Sequence, residues 1–138
     1  MEKYSQEAAD KCVPLDSELI KEAIPLFTQI HHCGSVLAEV FFAMMISRIL
    51  YGSVPAPGTM VIFSILLATC SIGTPGLPWG TVMVSLGTLT GILKFGDSGQ
   101  ALMFAVFALN DAFAAACNAT CDGAAALFLT GYVKRHDL

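Results

Sequence analysis

Asp111, Asn118 and Asp122 stand in a segment otherwise dominated by alanine, phenylalanine and leucine. At about 100° per helical residue, their spacing brings all three within about 20° of one line. Two carboxylates and a carboxamide on one face of an apolar helix are costly in a membrane, and such groups mark ion or substrate sites. Oxygens in a row suit a hard cation or an ammonium group better than zinc or copper. For Asp111 alone, simple solvation near the membrane interface is the plainer alternative. A second group, His31-His32-Cys33-Gly34-Ser35, interrupts an apolar run. His31, His32, Cys33, Cys117 and Cys121 have the side chains of a transition-metal site. Adjacent helical histidines, however, point about 100° apart and rarely share an ion, so no such metal is expected.

These residues need helices to hold them. Residues 101–133 form one long apolar segment; at about 1.5 Å per residue it exceeds the hydrocarbon core, so the helix overshoots or is preceded by a loop. Ala112, Ala114, Ala115, Ala116 and Ala119 permit close packing along it. Residues 24–51 suit one spanning helix interrupted near its middle, the arrangement in which secondary transporters bind cations through freed carbonyls. A continuous kinked helix, its histidines hydrogen-bonded inside a bundle, fits those residues equally. Residues 71–80, Ser-Ile-Gly-Thr-Pro-Gly-Leu-Pro-Trp-Gly, cannot continue a helix. The apolar arms on either side, 59–70 and 81–93, are each shorter than the roughly 20 residues of a spanning helix. Together 59–93 predicts a re-entrant hairpin whose tip, intolerable to lipid, borders a binding site. The alternative is a soluble helix–loop–helix with a Gly/Pro turn. Residues 1–23 read as an amphipathic segment interrupted at Pro14, with Asp16 or Ser17 capping a second short helix. The tail 134–138 opens with Lys134-Arg135-His136, a cytoplasmic signature. Two crossings and one hairpin then put both termini in the cytoplasm.

Composition supports a bilayer setting. Of 138 residues, 55% are hydrophobic and 13% charged, against about 25% charged in soluble domains, and the mean hydropathy is +0.68. Between Gly52 and Gln100 only Lys94 and Asp97 carry charge. The net charge of −4 argues against a nucleic-acid partner. The five cysteines read as small buried residues and not as a disulfide framework. The start, Met-Glu-Lys-Tyr-Ser-Gln-Glu, is no signal peptide. No phosphate loop or nucleophile elbow is present, so an enzyme is not expected.

A broken helix, a Ser-Ile-Gly-Thr-x-Gly-x-Pro hairpin and an Asp-x6-Asn-x3-Asp helix, in that order, resemble the dicarboxylate/amino acid:cation symporters, the glutamate-transporter family. The resemblance runs from about Ala9 to Val133 and covers only the C-terminal third of such a transporter. Where the family reads Pro-Leu-Gly-Ala-Thr-Ile-Asn-Met-Asp-Gly-Thr, this chain has Pro25-Leu26-Phe27-Thr28-Gln29-Ile30-His31-His32-Cys33-Gly34-Ser35. The family's second hairpin tip, Ser-x-Gly-Thr-Ala-Gly-x-Pro-Gly, is close to residues 71–79. Its last helix carries Asp-x-x-Arg-Thr-x-x-Asn-x-x-Gly-Asp, similar to Asp111 through Asp122.

The resemblance implies an all-α membrane protein with the transport-domain arrangement of broken helix, re-entrant hairpin and polar-striped last helix. It implies sodium as coupling ion with no other cofactor, a small amino acid or carboxylate as substrate, and lipid around the protein. It also implies further N-terminal transporter helices as partners, a homotrimer, and residence in the plasma (inner) membrane. By position, Asp111 would meet a substrate ammonium, Asn118 its carboxylate, Leu77 its backbone contacts and Ser35 its side-chain end. Asp122 and Asn118 would serve one sodium, and backbone oxygens of Ser71, Ile72 and Thr74 a second. The departures imply altered selectivity. Ala114 stands where acidic-amino-acid carriers place an arginine that pairs the side-chain carboxylate, and without it a buried acidic ligand is left unpaired. Ala115 replaces a threonine, Cys33 an aspartate of a third sodium site, His31 an asparagine and His32 a methionine. Pro75 and Trp79 narrow the tip. The expected function is therefore the C-terminal part of a sodium-coupled symporter not selective for acidic amino acids, with His31 or His32 able to supply proton coupling. The competing reading is a truncated or degenerate relative without transport, acting as a membrane packing partner.

Overall fold

The computed structural model describes residues 17–73 and 80–136, and among these the fold is all-helical. Helix α1, Ser17–Ile30, is followed after a two-residue break by α2, Cys33–Tyr51. Then come α3, Pro57–Ile72, α4, Gly80–Gly91, and α5, Asp97–His136. The sequence-expected Thr74 and Leu77 lie outside the described residues.

Within residues 24–51 the helical run is interrupted at His31–His32, between α1 and α2. The interruption is short. His31 N still donates to Phe27 O at 2.8 Å, closing α1, while Val36 N donates to His32 O at 2.9 Å, opening α2. Pro25 sits inside α1, where it removes one ladder donor. The arm before the break begins at Ser17, so part of the expected N-terminal amphipathic segment and the start of the apolar run are one helix. Counted across the break, Glu18–Tyr51 and the 40 residues of Asp97–His136 are long and apolar enough to cross a membrane. The basic Lys134, Arg135 and His136 form the last turn of α5, where positive charge opposes the helix's negative end.

Three pairings fix the register. His31 lies opposite Asp122, Gly34 opposite Asn118 and Tyr51 opposite Gly99. The chain α1–α2 therefore runs antiparallel along almost all of α5. Buried positions on α5, Met103, Phe107, Ala114, Asn118, Asp122, Ala126 and Thr130, recur at steps of four or seven residues, a stripe that winds around the helix toward its C-terminal end. Tyr51 ties the far end, accepting from Gly96 N at 3.0 Å and stacking at 5.5 Å between centroids on Phe95. Gly99 must be small, since a Cβ there would come within 2.7 Å of the Tyr51 hydroxyl.

Helices α3 and α4 pack on each other and on α2, and α4 also touches α5. Their lengths, 16 and 12 residues, correspond to about 24 and 18 Å, less than a hydrocarbon core. Pro57 opens α3 at its first turn, where its missing N–H costs nothing. Hydroxyls on both helices return to their own backbones: Ser64 to Met60 O, Thr69 to Ile65 O, Thr88 to Ser85 O and Thr90 to Leu86 O. That satisfies polar groups where no water is available. One core gathers Ala43, Ile46, Phe63, Leu67, Val82, Leu89, Met103 and Phe107; a smaller one joins Ile20, Ile24 and Ala126. Outward faces stay apolar, with Leu37, Leu109, Phe113 and Phe128 each more than 70% exposed.

Candidate functional site

Between the two apolar cores lies a polar layer built on the break. A helix start leaves its first N–H groups without intrahelical acceptors, and His32, at the N-cap position of α2, makes no side-chain capping bond. The acceptor comes from another helix. Asn118 Oδ1 receives Gly34 N at 2.7 Å and Ser35 N at 3.4 Å, the second and third residues of α2, which a local cap would serve. The same carboxamide donates through Nδ2 to Ser35 Oγ at 2.9 Å. Asn118 thus caps α2 from across the helix pair. Gly34 permits the approach: a Cβ there would meet Cys117 Cβ at 2.6 Å, Ala114 O at 2.7 Å and Asn118 Oδ1 at 3.0 Å.

One turn further along α5, Asp122 is fully buried and its Oδ1 lies 3.0 Å from His31 Nδ1. The two groups share one proton-bearing contact, in which a carboxylate oxygen accepts when Nδ1 donates. His31 directly follows the last residue of α1, and among the described residues no backbone N–H outside the helix closes on the carbonyls of Thr28, Gln29 and Ile30. The carboxylate and the carboxamide oxygen, one turn apart on α5, are hard oxygen donors. His32 is buried, and its Nδ1 has no partner among the described residues.

The sequence-expected residues divide. Ser35 and Asn118 are hydrogen-bonded to each other, and Asp122 lies next to them on α5. Asp111 sits on the same stripe, seven residues before Asn118, but is only half-buried. Ser71 is buried at the end of α3, its hydroxyl donating to Ala68 O at 2.8 Å, while Ile72 is 57% exposed. Among the described residues no Cα of α3 comes within 8 Å of one on α5, and α1 touches both. Ser71 and Ile72 therefore lie on a helix whose backbone stays more than 8 Å, Cα to Cα, from that of the helix carrying Asn118 and Asp122. Thr74 and Leu77 lie outside the described residues.

Other features were missed in sequence or read otherwise. His31 as the partner of Asp122, and Gly34 as the seat of Asn118, have no local signature. Glu39 is fully buried and accepts from Ser85 Oγ across α2–α4, while its Oε2 lacks a partner among the described residues. A lone carboxylate in an apolar run was the visible signal there; nothing named its partner 46 residues on. The cysteines need correction. Cys33 and Cys117 are exposed, and Cys70 and Cys121 only partly covered, because the seam places Gly34 and Ala114 inward and turns these neighbours out. Among the described residues, no three His, Cys, Asp or Glu side chains close into a metal-holding group.

The model of the sodium:dicarboxylate symporter family matches residues 5–131, which takes in the break, both hairpin arms and the polar face of the last helix. No curated protein and no solved structure matches the chain.

Proposed function

Because the chain belongs to the sodium:dicarboxylate symporter family and is an integral membrane protein with two long apolar helices, we propose that it is the C-terminal part of a sodium-coupled symporter. Its substrate is a small amino acid or carboxylate, without preference for acidic amino acids. The observation that carries this reading is the burial of Asn118 and Asp122, both 0% exposed, against the break between α1 and α2. A buried carboxylate is electrostatically costly by itself, and a bound cation relieves it. In this reading Asp122, Asn118 and α1 carbonyls hold one sodium, and backbone oxygens of Ser71, Ile72 and Thr74 reach a second when the tip closes. Asp111 meets the substrate ammonium, and Asn118, Ser35 and Leu77 complete its contacts. Ala114 supports the selectivity: it is 3% exposed under Gly34, so the seam has no room for a guanidinium that would pair a second carboxylate. The short arms α3 and α4 support a re-entrant hairpin, and the basic last turn of α5 supports cytoplasmic termini in a plasma (inner) membrane.

A second reading has its own observation. His31 already occupies one oxygen of Asp122, and Asn118 is committed to Gly34 and Ser35, so the polar layer is closed on itself. On that account the chain is a non-transporting packing partner. Proteolysis of the hairpin in reconstituted membranes separates the two. The symporter reading expects protection of residues 73–80 in sodium but not in choline, abolished by Asp122→Asn. Equal cleavage in both salts selects the packing partner. Labelling of cysteines introduced at Gly58 and Gly91 from one side of the membrane tests the hairpin, and labelling from opposite sides excludes it.

A further inference from the structure

Both polar side chains of the buried layer are engaged by the break, but not in the same way. Asn118 accepts from Gly34 N at 2.7 Å and Ser35 N at 3.4 Å, and donates to Ser35 Oγ at 2.9 Å. Pulling it away leaves amides of α2 unpaired where no water is available. Asp122 is engaged by a side chain instead, with His31 Nδ1 standing 3.0 Å from its Oδ1. The two partners differ in freedom. Asp122 is 0% exposed and belongs to a continuous helix of 40 residues. His31 lies in the two-residue gap between Ile30 and Cys33, and its side chain is 36% exposed. A half-covered ring on a residue outside both helices can change rotamer without breaking either of them. We propose that His31 is an internal plug: its imidazole occupies the carboxylate oxygen that a cation would take, and swings outward to open the site.

This inference rests on the symporter reading above and sets its sodium in competition with His31. A hard cation binds through several oxygens whose lone pairs face it at once. The lone pair that receives Nδ1 cannot also face a sodium ion, and an imidazole nitrogen is a poor ligand for so hard an ion. Sodium therefore meets this oxygen of Asp122 only after the ring has left. Parting a hydrogen bond to a carboxylate weakens sodium binding by about tenfold or more. Asn118 has no comparable release, because its partners are backbone amides of α2 and the serine beside them. The plug is thus one side chain, and removing it leaves the cap on α2 in place.

The test follows thermal unfolding of the full chain in micelles at one pH, with sodium chloride exchanged for choline chloride at constant ionic strength. A cation that binds the folded state raises the midpoint as its concentration passes the dissociation constant. His31→Ala removes the ring. His31→Ser also removes it but keeps a polar group in the partly exposed break, so either variant serves if the other folds poorly. The midpoint in choline reports folding. The half-saturating sodium concentration is expected to fall about tenfold or more in both variants, and the response to vanish when Asp122→Asn is added. An equal sodium response in wild type and His31→Ala, lost with Asp122→Asn, overturns the plug and leaves the symporter reading standing. A weaker response in His31→Ala also overturns the plug, making His31 a support of the site. No response in any of these proteins removes the cation site, and the symporter reading falls together with the plug.

Discussion

The two halves of α5 bury the same stripe by different means. Near its start, Met103 and Phe107 sit among Ala43, Phe63, Leu89 and Phe95, a core of apolar side chains. From Ala114 to Asp122 the same face meets the start of α2 and the break before it through Gly34, Ser35 and His31, and the contact is made of hydrogen bonds and backbone approach. In lipid the apolar half gains little from leaving its solvent, which is as apolar as leucine, and holds by shape alone. The polar half cannot be exchanged for lipid without leaving N–H groups unpaired. Shape tolerates graded change, whereas the polar seam accepts few substitutions. The specificity of the helix pair therefore resides in residues 114–122, although the apolar half contains the larger side chains.

The most damaging single change on this account is Gly34→Val. Its Cβ has to displace a backbone oxygen and a neighbouring Cβ, neither of which can swing aside. The expected loss is about 3 kcal/mol, read as an earlier midpoint of unfolding in mixed micelles. A smaller loss, about 2 kcal/mol, is expected for Phe107→Ala, where lipid removes most of the transfer contribution and the cavity remains. If Phe107→Ala costs more than Gly34→Val, the contrast between the halves is reversed.

How far these halves were legible in the sequence follows from what holds them. An interruption at His31 through Ser35 was one of two readings the sequence allowed equally, and the short helices α3 and α4 showed because Gly and Pro bound them. Asp111, Asn118 and Asp122 showed as a stripe because helical spacing is local. The cap did not show. Asn118 and Gly34 are 84 residues apart, and a carboxamide on a membrane helix looks the same whether it serves a ligand or a backbone. Glu39 with Ser85, and His31 with Asp122, were invisible for the same reason. The exposure of Cys33 and Cys117 depended on which side of the seam faces inward, a tertiary fact that apolar neighbours along the chain do not encode.

Two milder substitutions sharpen the comparison. Ser35→Ala removes one acceptor for Asn118 Nδ2 and leaves the cap itself, so about 1 kcal/mol is expected. Gly87→Ala, in mid α4, has nothing within 4 Å of its new Cβ. It should stabilise by up to about 1 kcal/mol through helix propensity alone. Two glycines with opposite signs on substitution would show that Gly34 is held by its neighbour and not by its backbone. Destabilisation by both would contradict that.

The central claim is that Asn118 caps α2 from across the helix pair, and amide hydrogen exchange in micelles tests it most directly. In Asn118→Ala, the Gly34 and Ser35 amides lose their acceptor. They are expected to exchange about tenfold faster, the equivalent of about 1.4 kcal/mol and within the range for a lost helix cap. The amides of Leu89 and Phe107, in the apolar half, should keep their rates. Unchanged exchange at Gly34 and Ser35, or an equal acceleration at all four sites, would contradict it.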